Sequence, residues 1–463
     1  MKRKKLGTVC IIMLSLVLSA CGKGQKTDVT ANNEHGTEVT AKPEDKPSPM
    51  EPLVFNTDAS IEETVIYEED DIKITATELE YSDYDATLNL LIENNSQRDL
   101  TFVSGSLGYS CNAINGYMVD DGYLNAEVAS GKKSNESVSF STEELMIYGI
   151  NTIADIQFGI EIEEDFNEIY TGICQLKTTA ADSYDYSEDT YLSALRSGLL
   201  ESTYDCSVDF YSEDELYNQK GIRIVSEALM TNKDGEQAFL VEMINTTDKL
   251  FYGVTSDIVV NGLGISSFIC SNDSINAGCR RIIDLSIEDI FDKTYWEKFG
   301  ISEIGELSFD FTINDEKQNE YLKPQTISIR TSDKTASFNN EGEELFNESG
   351  FRIISKGLIS DSSDLLDDIH LLLVVENSSD QVVTIDEVRD SLSVNGFMTD
   401  CITSGQKINS GCSAVLDIAI QESSLEDNKI SELEEIKEIE MSFEIKNDDY
   451  ETIKEPKIKM LLE

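Results

Sequence analysis

Histidine occurs only twice in the 463 residues, as His35 and His370, and tryptophan only once, as Trp296. With so few imidazoles, histidine-based triads and histidine metal sites are nearly excluded. Proline is equally scarce, and four of the six (Pro43, Pro47, Pro49 and Pro52) crowd one stretch near the N-terminus. Cations are heavily outnumbered, 36 Lys and Arg against 89 Asp and Glu, for a formal net charge of −53. Nucleic acid and anionic headgroups are therefore poor partners for this surface. Because the acids are spread along the whole chain, they read as a solvated, repulsive surface and not as a cation site. No Walker loop, GxSxG elbow or GxGxxG fingerprint occurs, so no phosphate or acyl chemistry has a candidate and no cofactor is expected. The acid pairs Asp120-Asp121, Glu163-Glu164 and Asp367-Asp368 lack the calcium-loop spacing, and neighbours on a strand point to opposite faces. No metal site is expected from them.

Long apolar runs are also few. One spans Leu6 to Leu18, behind Lys2-Arg3-Lys4-Lys5 and ahead of Leu18-Ser19-Ala20-Cys21. A basic start, a short apolar stretch and small residues make a secretory signal, too short for a membrane span of ~20 residues. Its last four residues resemble the bacterial lipobox, which implies cleavage before Cys21 and a diacylglyceryl thioether on that cysteine. No second such run follows, so no C-terminal membrane anchor is expected. Polar residues from 21 to 60, with their four prolines, predict a flexible tether.

Past the tether the chain repeats. Tyr67 with Ile72-Lys73-Ile74, Tyr217 with Ile222-Arg223-Ile224, and Phe346 with Phe351-Arg352-Ile353 open three copies. Each continues through an asparagine at a strand end (Asn94, Asn245, Asn377), an Asn-Gly pair (115-116, 261-262, 395-396) and a later glycine (Gly131, Gly278, Gly411). Asn-Gly is a strong hairpin signal. The strand-end asparagines suit a turn, in which the side chain bonds its own backbone, better than glycosylation.

Strict alternation marks strands at Ile72 to Leu79, Ile156 to Ile162, Leu307 to Ile313 and Ile439 to Ile445. Ser141-Thr142-Glu143-Glu144, Ser286-Ile287-Glu288-Asp289 and Ser423-Ser424-Leu425-Glu426 predict one short capped helix per copy. About seven strands and one helical turn per copy predict an all-β chain of three tandem antiparallel β-sandwiches of immunoglobulin-like architecture, with a barrel as the alternative. The expected organisation is signal 1–20, lipidated tether 21–60, sandwich 61–179, connector 180–216, sandwich 217–331, linker 332–345 and sandwich 346–463. Within the connector, Asp189 caps a helix carrying Leu192, Leu195, Leu199 and Leu200, which should restrict the joint beside it.

Nine cysteines are present. Cys10 leaves with the signal and Cys21 is the lipid site. Cys270 with Cys279 and Cys401 with Cys412 occupy matching places, where two strands joined by a turn would bring each pair together as a local disulfide in an oxidising compartment. Cys111, Cys174 and Cys206 remain, an odd number that leaves at least one free thiol. His370 reads as a strand residue and Trp296 as a packing residue. Four tyrosines of the first copy, Tyr109, Tyr117, Tyr123 and Tyr148, are the candidates for a sugar-binding platform.

The lipobox, acidic composition and repeated order of strand, Glu-Asn, Asn-Gly and Gly resemble the surface lipoproteins of clostridia-type Gram-positive bacteria that carry small Ig-like domains. The resemblance implies an extracytoplasmic protein held by lipid to the outer leaflet of the cytoplasmic membrane. It carries no catalytic residues across. The expected function is non-enzymatic: presentation of tandem β-sandwich modules to a protein partner or an envelope glycan. A carbohydrate- or solute-binding lipoprotein is the alternative, and a carboxylate-based hydrolase the most remote.

Overall fold

The computed structural model describes residues 53–462, apart from 106–109, 165–166, 205, 234, 236, 286, 288–292, 333–336, 361–368 and 431. The signal, Cys21, His35, Tyr109, Asp367-Asp368 and most of the second copy's capping box lie outside the described residues. Among the described residues the sheets are antiparallel apart from two short contacts and none closes on itself, so the copies are sandwiches and not barrels.

In the first copy the strands are β1 (Thr64–Glu69), β2 (Ile72–Tyr81), β3 (Asp85–Asn94), β4 (Leu100–Ser104), β5 (Ala113–Ile114) and β6 (Tyr117–Met118). They continue as β7 (Leu124–Val128), β8 (Lys132–Ser141), β9 (Asp155–Phe158), β10 (Glu161–Glu164), β11 (Asn167–Tyr170) and β12 (Cys174–Lys177), with helix α1 (Thr142–Ile147) after β8. Helices α2 (Thr190–Ser197) and α3 (Leu199–Tyr204) form the connector. The second copy holds β13 (Cys206–Ser212), β14 (Tyr217–Gln219), β15 (Ile222–Asn232), β16 (Gln237–Asn245) and β17 (Phe251–Val260). Then come β18 (Leu263–Ile275), β19 (Arg280–Asp284), helix α4 (Lys293–Lys298), β20 (Glu306–Asn314) and β21 (Glu320–Arg330). The third copy runs through β22 (Glu343–Glu348), β23 (Phe351–Ser360), β24 (Ile369–Asn377), β25 (Val383–Glu387), β26 (Ser393–Val394) and β27 (Phe397–Met398). It ends with β28 (Cys401–Thr403), β29 (Gln406–Ile408), β30 (Ser413–Ile420), α5 (Glu422–Asp427), β31 (Glu438–Asn447), β32 (Thr452–Lys454) and β33 (Lys457–Leu461).

Two sheets cross from one copy into the next. One runs β12-β9-β5-β6-β19-β16-β15-β13, half from the first copy and half from the second. The other runs β21-β20-β17-β18-β30-β24-β23-β22 and fuses the second copy to the third in the same way. The bridging contacts are the parallel ones: Tyr117 opposite Arg280, and Leu263 opposite Ser413. The core crosses with them. Ala228 and Leu240 of the second copy pack in the first copy's core, while Leu372, Val374 and Val415 of the third pack in the second's. This explains β24, whose unbroken run Leu371 to Val375 is buried on both faces: Leu371, Leu373 and Val375 face their own sandwich, Leu372 and Val374 the preceding one. The copies are therefore joined edge to edge, a tighter coupling than separate domains on linkers.

The three strand-end asparagines are fully buried and make the same bonds. Each side-chain amide donates to the carbonyl four residues on, at Arg98, Lys249 and Gln381 (2.7, 2.7 and 2.9 Å). Each also reaches a carbonyl beyond the hairpin, at Val128, Ile275 and Ile408 (2.8, 3.1 and 3.0 Å). Each side-chain oxygen accepts from the backbone of Ser96, Thr247 or Ser379, at 3.0 Å in all three cases. They are latches between the two sheets of a sandwich, and their burial closes the glycosylation reading. The Asn-Gly pairs are I′-like turns, with φ of 51° and 84° at Asn115-Gly116, 52° and 84° at Asn261-Gly262, and 52° and 82° at Asn395-Gly396.

Several expectations shift. The alternating run 156 to 162 is broken at Gly159 into β9 and β10, which belong to different sheets, because alternation continues across the bend while the hydrogen bonds change partner. Ser141 caps α1 through Glu144 N (3.2 Å), but the third copy's helix begins after Gln421 and makes no side-chain cap. The connector helix is two helices, split at Gly198 with φ +71°; Asp189 caps the first through Leu192 N (2.9 Å). Residues 53 to 60, placed in the tether by the sequence, are tied to the sandwich: Leu53 N donates to Thr203 Oγ1 (3.3 Å), Asn56 N to Asn151 O (2.7 Å) and Thr179 N to Ser60 O (2.9 Å).

Candidate functional site

The residues that combine burial, charge and unusual ionisation gather where copies meet. At the first joint, the backbone N–H of Arg280 donates to Gly116 O (2.7 Å), extending the Asn-Gly hairpin of the first copy onto β19 of the second. The Arg280 guanidinium bonds Glu242 Oε1 (2.6 Å) and Asp189, and its Cζ lies 5.9 Å from the Tyr117 ring. Asp189 thus caps α2, accepts from Tyr117 Oη (3.3 Å) and neutralises Arg280. Arg281 continues the pattern, reaching Asp120 of the first copy and Asp273 of its own at 2.6 Å each. Asn276 Nδ2 donates across the same joint to Cys111 O (2.6 Å) and Gln157 Oε1 (2.9 Å).

Burial raises the Glu242 carboxyl to about 7, with Asp189 adding to the effect and Ser226 and Arg280 opposing it. On the opposite face of the sheet, Glu227 lies in register with Val241 and is wholly buried, with the Ser212 hydroxyl as its opposing polar neighbour. Its carboxyl is pushed up to about 8, chiefly by desolvation. Glu144, which accepts from Tyr148 Oη at 3.1 Å, is likewise raised to about 8 by burial and by Asp121 and Asp120. Carboxyls titrating near neutrality often mark general acid–base sites. Here Glu227 and Glu242 are wholly buried, so neither is placed to meet a substrate.

At the second joint Tyr295 of α4 reaches into the third copy, bonding Asp417 Oδ2 (2.7 Å) and His370 Nδ1 (3.1 Å). His370 Nδ1 also meets Asp417 Oδ1 at 2.9 Å. His370 is thus a buried strand residue of the joint. Trp296 and Phe299 are buried in the same core, as packing residues.

Among the described residues the candidate tyrosines form no exposed platform. Tyr117 and Tyr148 are buried and stack on each other, centroids 5.8 Å apart, Tyr123 is half-buried, and Tyr109 lies outside the described residues. A cleft of about 380 Å³ opens elsewhere, beside the connector, lined by Gly149, Asn151, Tyr184, Asp185, Thr190 and Ser197 among others.

Cys401 and Cys412 are also separated. Cys401 stands opposite Ile420, and Cys412 precedes the far end of the same strand, about 26 Å away at ~3.3 Å per residue. The turn between them passes through β29, which belongs to the other sheet, so the two do not form a simple hairpin. Cys401 donates to Glu387 Oε2 (2.9 Å), and Cys412 is exposed and free. Cys279 is free and buried, its thiol directed at Gln157 Oε1 (3.5 Å) across the first joint, and the side chain of its expected partner Cys270 lies outside those described. Cys111 and Cys174 are free as well, and the Cys206 thiol lies 3.7 Å from Leu200 O. Among the described residues no three His, Cys, Asp or Glu side chains are grouped to hold a metal ion.

No family model matches the chain, and neither does any curated protein. Among solved structures, a protein of unknown function from Porphyromonas gingivalis W83 is 12% identical, with 49% of this chain and 92% of that one covered and a TM-score of 0.15. A bacterial ice-binding adhesin is 9% identical, with coverages of 81% and 90% and a TM-score of 0.13. The exo-chitosanase CsxA of Amycolatopsis orientalis is 7% identical, with coverages of 87% and 79% and a TM-score of 0.17.

Proposed function

We propose that this chain is a non-enzymatic surface lipoprotein, lipidated at Cys21, that presents three sandwiches as a binding scaffold for a protein or envelope partner. The observation that supports this reading is the pair of sheets that cross the joints. They spend the chain's buried charge on coupling one copy to the next, and a coupled array suits display better than turnover. The lipobox motif supports the address, and the net charge of −53 disfavours nucleic acid.

The test is made in the source cells. The protein should label with a fatty acid and remain in the membrane fraction, and Cys21→Ala should abolish labelling and release or retain it as precursor. The fragment from Leu53 onward should then capture a saturable partner from solubilised envelope. An unacylated mature N-terminus elsewhere than Cys21 would remove the lipoprotein reading. Turnover of a glycan by the purified fragment would remove the non-enzymatic one.

A further inference from the structure

At each joint one copy supplies the residue that follows its Asn-Gly turn, Tyr117 or Leu263, and the next copy supplies the first residue of its β8-like strand, Arg280 or Ser413. These acceptors are equivalent by register, since Arg280 faces Ile244, Ser413 faces Glu376, and Lys133 of the first copy faces Glu93. Three copies hold three of each part but make only two joints. One donor and one acceptor are left over. The spare donor is the third copy's hairpin, Asn395-Gly396-Phe397-Met398, with β27 at the outer edge of its sheet. The spare acceptor is β8 of the first copy, the outer strand of β1-β2-β3-β8.

The exposures match this count. Tyr117 and Met118 are each 2% exposed and Leu263 is 0% exposed, whereas Phe397 and Met398 stand 52% and 61% exposed, with Ile402 beside them at 51%. We propose that the Phe397–Met398 hairpin of one chain docks onto the β8 edge of a second copy of the same chain, so that the protein associates head to tail. The docked edges would rebuild the sheet that already crosses both internal joints.

The side chains suit the contact. Phe397 opposite Lys133 repeats Tyr117 opposite Arg280, an aromatic ring beside a cation. Asp400 occupies the place of Asp120, the carboxylate that reaches Arg281 across the first joint, and Lys132 and Lys133 lie on the edge it would approach. Lysine on an edge strand commonly discourages pairing. At this position a cation is compatible with docking, because Arg280 donates its N–H to Gly116 while its guanidinium is held by Glu242 and Asp189, and Lys133 is already paired with Glu93. Such a contact is heterologous, one face meeting a different face, so it propagates in place of closing at a dimer. The inference does not depend on the lipid at Cys21.

Sedimentation of the chain from residue 21 onward, carrying Cys21→Ser so that no lipid contributes, tests it. The concentration range should reach about 1 mM, the order that short tethers supply within a chain. The average mass should climb past dimer without a plateau. Phe397→Glu and Lys133→Glu, both at exposed positions, should each leave a monomer with an unchanged circular dichroism spectrum. An equimolar mixture of the two variants should restore a dimer and stop there, since one live donor meets one live acceptor. A wild-type monomer throughout the range, association that survives Lys133→Glu, or a mixture that stays monomeric while wild type associates would each overturn the proposal.

Discussion

Arg280 holds Glu242 at 2.6 Å in the joint between the first two copies, and the Glu242 side chain is wholly buried. Removing one partner of a buried pair leaves the other charge uncompensated. Arg280→Met should therefore destabilise the chain by about 3 to 5 kcal/mol at pH 8 and above, where Glu242 is ionised. The loss should shrink near pH 5, where that carboxyl is protonated, and most of it should be recovered in Arg280→Met/Glu242→Gln. Urea unfolding at the two pH values measures both effects.

Glu227 gives the stability curve a slope of known sign. Its folded carboxyl titrates at about 8, against the ordinary 4.5, because burial disfavours its charge. The folded state thus binds the proton more tightly than the unfolded state. The stability linked to this group is complete below about pH 4.5 and is lost as pH rises to about 8. Glu227→Met should remove the slope and stabilise the chain by roughly 1 to 3 kcal/mol at pH 9, with little difference at pH 5. A penalty at pH 9 would show that the carboxylate has a compensating partner.

Asn245 tests the latch shared by all three copies. Asn245→Ala leaves the carbonyls of Lys249 and Ile275 and the N–H of Thr247 without their side-chain partner. Each orphaned buried group costs about 1 to 3 kcal/mol, so the variant should lose at least that much in chemical denaturation. Asn245→Asp should not rescue it, since a carboxylate cannot donate to two carbonyls.

The sandwich fold and the threefold order were legible because alternation and Asn-Gly turns are local signals. The ends of the last strands, at Lys177, Arg330 and Leu461, follow from the same period-two pattern. The joints were not legible, because Tyr117 opposite Arg280 is a pairing across 163 residues with no local signature. One trace did exist. Leu371 to Val375 is apolar without alternation, as a strand buried on both faces must be. The pairing of Cys401 with Cys412 misled for a related reason: matching places in two copies show equivalence between copies, not proximity within one. Likewise Tyr117 and Tyr148 cluster in sequence because they stack on each other at a joint, where they are buried.

Amide hydrogen exchange at Arg280 tests the shared sheets most directly. Its N–H is donated to Gly116 O, across the joint, at 2.7 Å. If the sheet is continuous, this amide should exchange as slowly as those of Arg281 and Ile283, which face β16 within the same strand, by global unfolding. Exchange at the rate of an exposed edge, with Ile283 still protected, would contradict the account and return the copies to independent domains on linkers.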